Sequence, residues 1–234
     1  MLSARFIDKT FNNRKLEMIT KKNDEEKSMQ EYNILVAGVG GLGILTATRI
    51  IAEAALLENR NVIMSEIHGL SQRYGTVITN LRIGDVFSPL IKREGADLII
   101  GLEPVEALRN IYMVKKNAGY AIINLNKIEP PTVTAGIDEY PELDSILKTI
   151  REFTKNVITL NALEIAEKLG SPLLQNTILL GVAFSIPTFP LKIESGKEAI
   201  KKVFSEKPKI IPMNLKAFDE GFKLGQNILS EMKK

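Results

Sequence analysis

Gly38, Gly40, Gly41 and Gly43 fall between an aliphatic run and a stretch of helical period. Glycines placed there let the backbone turn sharply and let an anion approach the unpaired N–H groups at a helix start. The chemistry on offer is a cradle for a phosphate or diphosphate. Glu66 lies 23 residues beyond Gly43, after a second aliphatic run, where a carboxylate can accept hydrogen bonds from a ribose. The same glycines would also serve a purely structural end, tight packing of strand on helix, with Glu66 a surface acid.

The second candidate is residues 65–76, a polar stretch bracketed by glycines and holding Glu66, His68, Ser71, Gln72 and Arg73. Its expected place is a loop at the C-terminal end of the second strand, where open α/β sheets site their ligands. His68 can donate or accept a hydrogen bond. Arg73 offers a fork for a carboxylate or phosphate, and Ser71 and Gln72 can orient neighbours. Alternatively the loop satisfies itself, with Arg73 paired to Glu66 and His68 buried and neutral. The third candidate, Glu103, stands before Pro104 at an expected strand end, either facing the same sheet edge or capping the helix that follows.

Composition limits what these residues can be part of. The chain has 234 residues, 44% hydrophobic and 25% charged, with a mean hydropathy of +0.01. That is ordinary for a globular protein and large enough for one sizeable α/β domain. With 31 Lys and Arg against 28 Asp and Glu, the net charge of +3 is too small and too evenly spread to argue for nucleic acid. Cysteine is absent, which removes disulfides, thiolate nucleophiles and cysteine ligation of an iron–sulfur cluster by this chain. One histidine cannot build a multi-histidine metal centre. No apolar run approaches the roughly 20 residues a membrane helix requires. The longest, residues 177–186, stops at Pro187. A cytoplasmic protein is the expectation.

The elements that must position the candidates follow from periodicity. Residues 34–37 read as a strand buried on both faces, and residues 44–57 carry Ile44, Ala47, Ile50, Ile51 and Ala54 at helical spacing. Residues 62–64 read as a second strand, so that strand, glycine turn, helix and strand form a crossover unit of about 30 residues within one sheet. Further strands are expected at 76–83, 98–102, 120–124 and 157–160. Pro104 should open a helix, Asn161 should cap one over 162–169, and residues 176–185 should form a buried helix. Two amphipathic helices, about 195–204 and 214–232, close the chain. The fold class is α/β, a three-layer Rossmann-like domain with a mostly parallel sheet. Residues 1–30 read as a flexible N-terminal extension, because 21–27 is a mixed-charge run with no apolar period, and residues 31–234 read as a single domain.

Taken together, residues 38–43, 65–75, 103–109, Ile123-Asn124 with Pro130, and 176–181 resemble the gamma-type subunit of 2-oxoacid:ferredoxin oxidoreductases, in particular the indolepyruvate type. The glycine turn is shared with many folds; the Glu66-x-His68-Gly69-x-Ser71-Gln72-Arg73 run carries most of the likeness. The resemblance implies a subunit of an enzyme that converts an aryl or branched 2-oxoacid to its acyl-CoA, with electrons passed to ferredoxin. It implies a larger partner holding thiamine diphosphate, magnesium and the iron–sulfur clusters, with coenzyme A as co-substrate and no cofactor held by this chain alone. His68, Ser71, Gln72 and Arg73 would face the reaction across the interface, and Gly38, Gly40, Gly41, Gly43 and Glu66 would form the anion or partner cradle. Leu42 and Tyr74 depart from the family's usual Gln and Gly. Three other readings remain open on the residues: a free-standing NAD-dependent Rossmann oxidoreductase, an adenylating enzyme, and a scaffold subunit without a chemical role. An ordinary dehydrogenase would start a helix where this chain runs from a polar loop into a strand, which counts against the first.

Overall fold

The computed structural model describes residues 30–69 and 75–232. Among them, six strands form one sheet: β1 (Tyr32–Val39), β2 (Val62–His68), β3 (Thr76–Ile83), β4 (Leu98–Gly101), β5 (Tyr120–Asn124) and β6 (Asn156–Leu160). Their order is β2-β3-β1-β4-β5-β6. β4, β5 and β6 run parallel to β1 and to one another in turn. β3 is antiparallel to both β1 and β2, so β2 points the same way as β1. The sheet is therefore mostly parallel, as expected, with one reversed strand between the first two.

Two features differ from the sequence reading. β2 continues to His68 rather than ending near residue 64, so Glu66 and His68 are strand residues, paired with Thr79 and Val77. An edge strand is bonded on one side and solvated on the other, so it needs no continuous apolar run. The crossover from β1 to β2 does stay within one sheet, but β3 enters between the two strands as the return arm of a hairpin. The strand that follows the polar stretch is thus the element that separates Glu66 from β1.

Alternation along the strands makes two cores. Ile34 and Val36 of β1, with Leu81, Ile100, Ile122 and Ile158, face α1 (Ile44–Leu57), α5 (Gln175–Ser185), α6 (Ile193–Val203) and α7 (Ile211–Glu231). Leu35 and Ala37, with Ile99, Ala121, Ile123 and Val157, face α2 (Pro104–Asn110) and α3 (Leu143–Phe153). Remaining between them in sequence is α4 (Ala162–Lys168), whose Asn161 side chain accepts a bond from the Glu164 N–H at 3.2 Å, the expected cap. Pro104 opens α2, where its missing N–H costs nothing. α5 is buried from Thr177 to Phe184, which explains its lack of a charged face. Phe218 of α7 is fully buried edge-on to Phe184, ring centres 5.1 Å apart. Truncating such a side chain to alanine typically costs about 3–5 kcal/mol.

Candidate functional site

The parallel strands β1, β4, β5 and β6 all end at one edge, and the candidates gather there. Gly38 still belongs to β1; a Cβ on it would lie 3.1 Å from Leu102 Cβ and 3.3 Å from Ile44 Cδ1. That glycine serves close packing of strand on helix. Gly40 donates its N–H to the Gly75 carbonyl at 2.9 Å, tying the turn to the foot of β3. Gly41 has φ +97° and would carry a Cβ into open space, whereas Gly43 has φ +73° and would carry one to 2.9 Å from Asn176 Nδ2. Asn176 donates that amide to the Leu42 carbonyl, so a residue of α5 latches the turn. Gly43 is the N-cap of α1 and has no side chain to cap with, and the first turn of α1 carries no acid. The positive end of its dipole suits an anion chemically.

Glu66 and His68 sit two apart on β2 and share a face. Together with Val39, Gly40, Gly41 and Gly43 they line an open cavity of about 530 Å³. His68 Nε2 stands 2.8 Å from Glu66 Oε1, and the imidazole is 56% exposed. The ring N–H is not aligned on that oxygen, and Glu66 Oε1 is buried without a hydrogen-bond donor among the described residues. Of the two readings of His68, the buried one does not hold: the ring is open to the cavity and stands beside a carboxylate. Ser71, Gln72 and Arg73 lie outside the described residues, and with them the expected Arg73–Glu66 pairing.

On the opposite face of the sheet, at the same edge, is a group the sequence reading only half saw. Glu103 is 1% exposed. Its Oε2 accepts the Glu106 N–H at 2.9 Å, which makes it the cap of α2, and its Oε1 accepts the Tyr140 hydroxyl. Glu106, passed over in the sequence, is equally buried; its Oε1 accepts the Thr76 hydroxyl at 3.2 Å and an Arg109 N–H at 2.6 Å. Burial pushes the Glu106 carboxyl above the ordinary carboxylate range, and the Arg109 guanidinium pulls it partly back. Burial, then the bond to Glu103, raises the Tyr140 hydroxyl. A glutamate in the first turn of a helix reads as a dipole partner on the surface; only the depth of α2 against β1 and β4 shows otherwise.

A second cavity of about 330 Å³ opens on the other side of the glycine turn, between Thr46 and Ile50 of α1 and Asn176, Phe204, Lys207 and Met213. Among the described residues no three His, Cys, Asp or Glu side chains gather as metal ligands. With no cysteine in the chain, these residues do not fit an iron–sulfur cluster or its like.

Residues 33–224 match the family described as pyruvate ferredoxin/flavodoxin oxidoreductase. The chain belongs to this family. Among its relatives is the indolepyruvate oxidoreductase subunit IorB of Archaeoglobus fulgidus, 48% identical over 190 residues, which span 81% of this chain and 93% of that one. The gamma subunit of keto/oxoacid ferredoxin oxidoreductase from Geobacter sulfurreducens superposes with a TM-score of 0.60 at 22% identity, over 84% of this chain and 99% of that one. The 2-oxoglutarate:ferredoxin oxidoreductase of Magnetococcus marinus, solved with 2-oxoglutarate, coenzyme A and succinyl-CoA bound, superposes at 0.63 and 19% identity, over 85% of this chain and 31% of that one. At such identities the two structures speak for the fold. The gamma-type resemblance read from residues 65–75 is borne out, and so is the α/β architecture. This member of the family carries its glycine turn and its polar strand end in one cavity.

Proposed function

We propose that the chain is the small subunit of an indolepyruvate-type 2-oxoacid:ferredoxin oxidoreductase and forms the acyl-acceptor side of its active site. The observation that carries this reading is the single open cavity in which an uncapped helix start meets Glu66 and His68. Coenzyme A is an anionic nucleotide ending in a thiol. Its phosphates suit the free N–H groups of the glycine turn, and the size of the cavity falls in the range of ordinary small-molecule sites. His68, with Nε2 beside Glu66, keeps Nδ1 to accept the proton that a thiol gives up on becoming a nucleophile. Carbon dioxide leaves the 2-oxoacid, the acyl group passes to sulfur, and the electron pair passes to ferredoxin.

Thiamine diphosphate supplies the carbanion chemistry and the clusters carry the electrons. Both are assigned to a larger partner subunit, in keeping with the absence of cysteine and of a metal-ligand cluster among the described residues. No helix among those residues is long and apolar enough to cross a membrane, which suits the cytoplasmic setting expected for a ferredoxin-linked enzyme. A free-standing NAD enzyme is less well served. β3 sets Glu66 two strand spacings from β1, roughly 9–10 Å, instead of one.

The test is reconstitution with the larger subunit, followed by indolepyruvate-driven, coenzyme A-dependent reduction of ferredoxin. His68→Ala and Arg73→Ala should each raise the KM for coenzyme A or lower turnover by about tenfold or more, within the usual range for proton-transfer and anion-binding groups. Unchanged turnover and unchanged coenzyme A affinity in both variants would overturn the assignment. Loss of assembly with full activity per assembled complex would favour the scaffold reading. NAD reduction by the chain alone would replace it with the dehydrogenase.

A further inference from the structure

The cavity that meets the glycine turn owes its shape to a junction three bonds wide. Gly69 N–H donates to the Thr76 carbonyl at 2.9 Å and closes the base of the β2–β3 hairpin. Gly40 N–H donates to the Gly75 carbonyl at 2.9 Å and joins that base to the turn. The Thr76 hydroxyl donates to Glu106 Oε1 at 3.2 Å and joins it to α2 on the far face of the sheet. Gly40, Gly69 and Val77 line the cavity, while Glu106 does not.

Glu106 is an unusual choice for a merely structural post. It is 3% exposed, its Oε2 is buried with no partner among the described residues, and it stands three residues from a second buried acid, Glu103. A buried carboxylate with an unpaired oxygen costs stability, and a hydrophobic residue would pack there more cheaply. What the carboxylate does supply is an acceptor for a hydroxyl on a neighbouring element. Its own position is over-determined. Arg109 binds Oε1 from the same helix, Asn110 Nδ2 binds the Glu106 carbonyl at 2.8 Å, and Glu103, itself held by Tyr140, binds the Glu106 N–H. A rigid acceptor at one end and a strand residue at the other make a fixed strut.

We propose that Glu106 is a positioning residue. Through the Thr76 hydroxyl it holds the hairpin base against the glycine turn and so sets the spacing between the helix start and the Glu66–His68 pair. It touches no ligand. The functional consequence rests on the reading that this cavity takes coenzyme A; the mechanical one does not.

Thr76→Val tests the strut without opening the core, because it keeps the side chain's shape and removes only the hydroxyl. In the intact complex it should raise the KM for coenzyme A about fivefold, the factor one ordinary hydrogen bond carries, with kcat within about twofold of the parent. Thr76→Ser should restore the parent KM. Glu106→Ala should act in the same direction, and the double variant should be no worse than either single one, since both remove one bond. An unchanged KM in Thr76→Val while His68→Ala still weakens coenzyme A binding, a failure of Thr76→Ser to rescue, or multiplying effects in the double variant would each overturn the proposal.

A readout without turnover separates the two layers. In the full chain, the Gly40 amide should exchange its hydrogen faster in Thr76→Val than in the parent. If exchange quickens but Glu66→Gln and His68→Ala leave coenzyme A binding unchanged, the strut stands and the reading of the cavity fails. If exchange is unchanged, the strut fails whatever the kinetics show.

Discussion

Gly43 and Asn176 illustrate how little room the turn leaves for a side chain. At φ +73° any L-residue is strained, and here its Cβ would also press on the amide that latches Leu42. Gly43→Ala should therefore cost about 1–2 kcal/mol, the penalty of a left-handed residue, read as a lower urea midpoint at unchanged slope. Glu106 makes the second prediction at this scale. Its folded-state pKa is raised above the ordinary 4.5 by burial, with Arg109 opposing and Glu103 adding to the rise. As pH climbs from 4.5, the unfolded chain gives up this proton before the folded one does, so folding stability falls across that window and levels off above the folded value. Glu106→Gln has no proton to lose. Its urea midpoint should lack that share of the decline as pH rises above 4.5; parallel curves for parent and variant would contradict the shift.

The elements show where periodicity is enough and where it is not. Asn161, Pro104 and the buried stretch of α5 were readable because caps, first-turn prolines and uncharged helices are local signals. The contact between α5 and α7 was not. α7 shows an apolar stripe and α5 is apolar all round, but their closeness depends on Gly181 lying against the Phe218 carbonyl and Gly221 against the Ile178 carbonyl. A Cβ at either place meets backbone, which cannot swing aside as a side chain tip can. Gly221→Ala should destabilise the chain by about 1–3 kcal/mol or more, a fall in Tm of roughly 2–4 °C per kcal/mol. A Tm within a degree of the parent would mean the helices can part at no cost. The length of β2 was missed for a related reason. Its polar residues are tolerated because only one side is paired, and edge position is a property of the sheet, not of the segment.

At the scale of the whole molecule, the two cavities flank the glycine turn, and apolar side chains surround the smaller one in the open: Leu173 is 85% exposed, with Met213 and Ile210 beside it. Exposed apolar groups around a concave site suit a surface that a partner could cover. With the larger subunit as the proposed cover, Leu173→Ser should leave thermal unfolding of the chain within about 0.5 kcal/mol of the parent, as surface changes do. It should reduce the amount of partner retained in co-purification. Full retention would place the contact elsewhere.

What the amino-acid order determined alone is local or compositional. The missing cysteines exclude cysteine ligation of a cluster by this chain, the glycine turn marks a helix start, and the run from Glu66 to Arg73 carries most of the resemblance to the family that residues 33–224 match. Each depends on residues close in the chain, whose meaning survives without knowing what they touch. Tertiary structure decided the rest. The insertion of β3 puts Glu66 and His68 across a cavity from the glycines rather than beside them, and α2 carries Glu106 under the sheet to Thr76. Thr76 and Glu106 are 30 residues apart in the chain, and only the sheet order, which no single segment encodes, brings them within reach of a hydrogen bond.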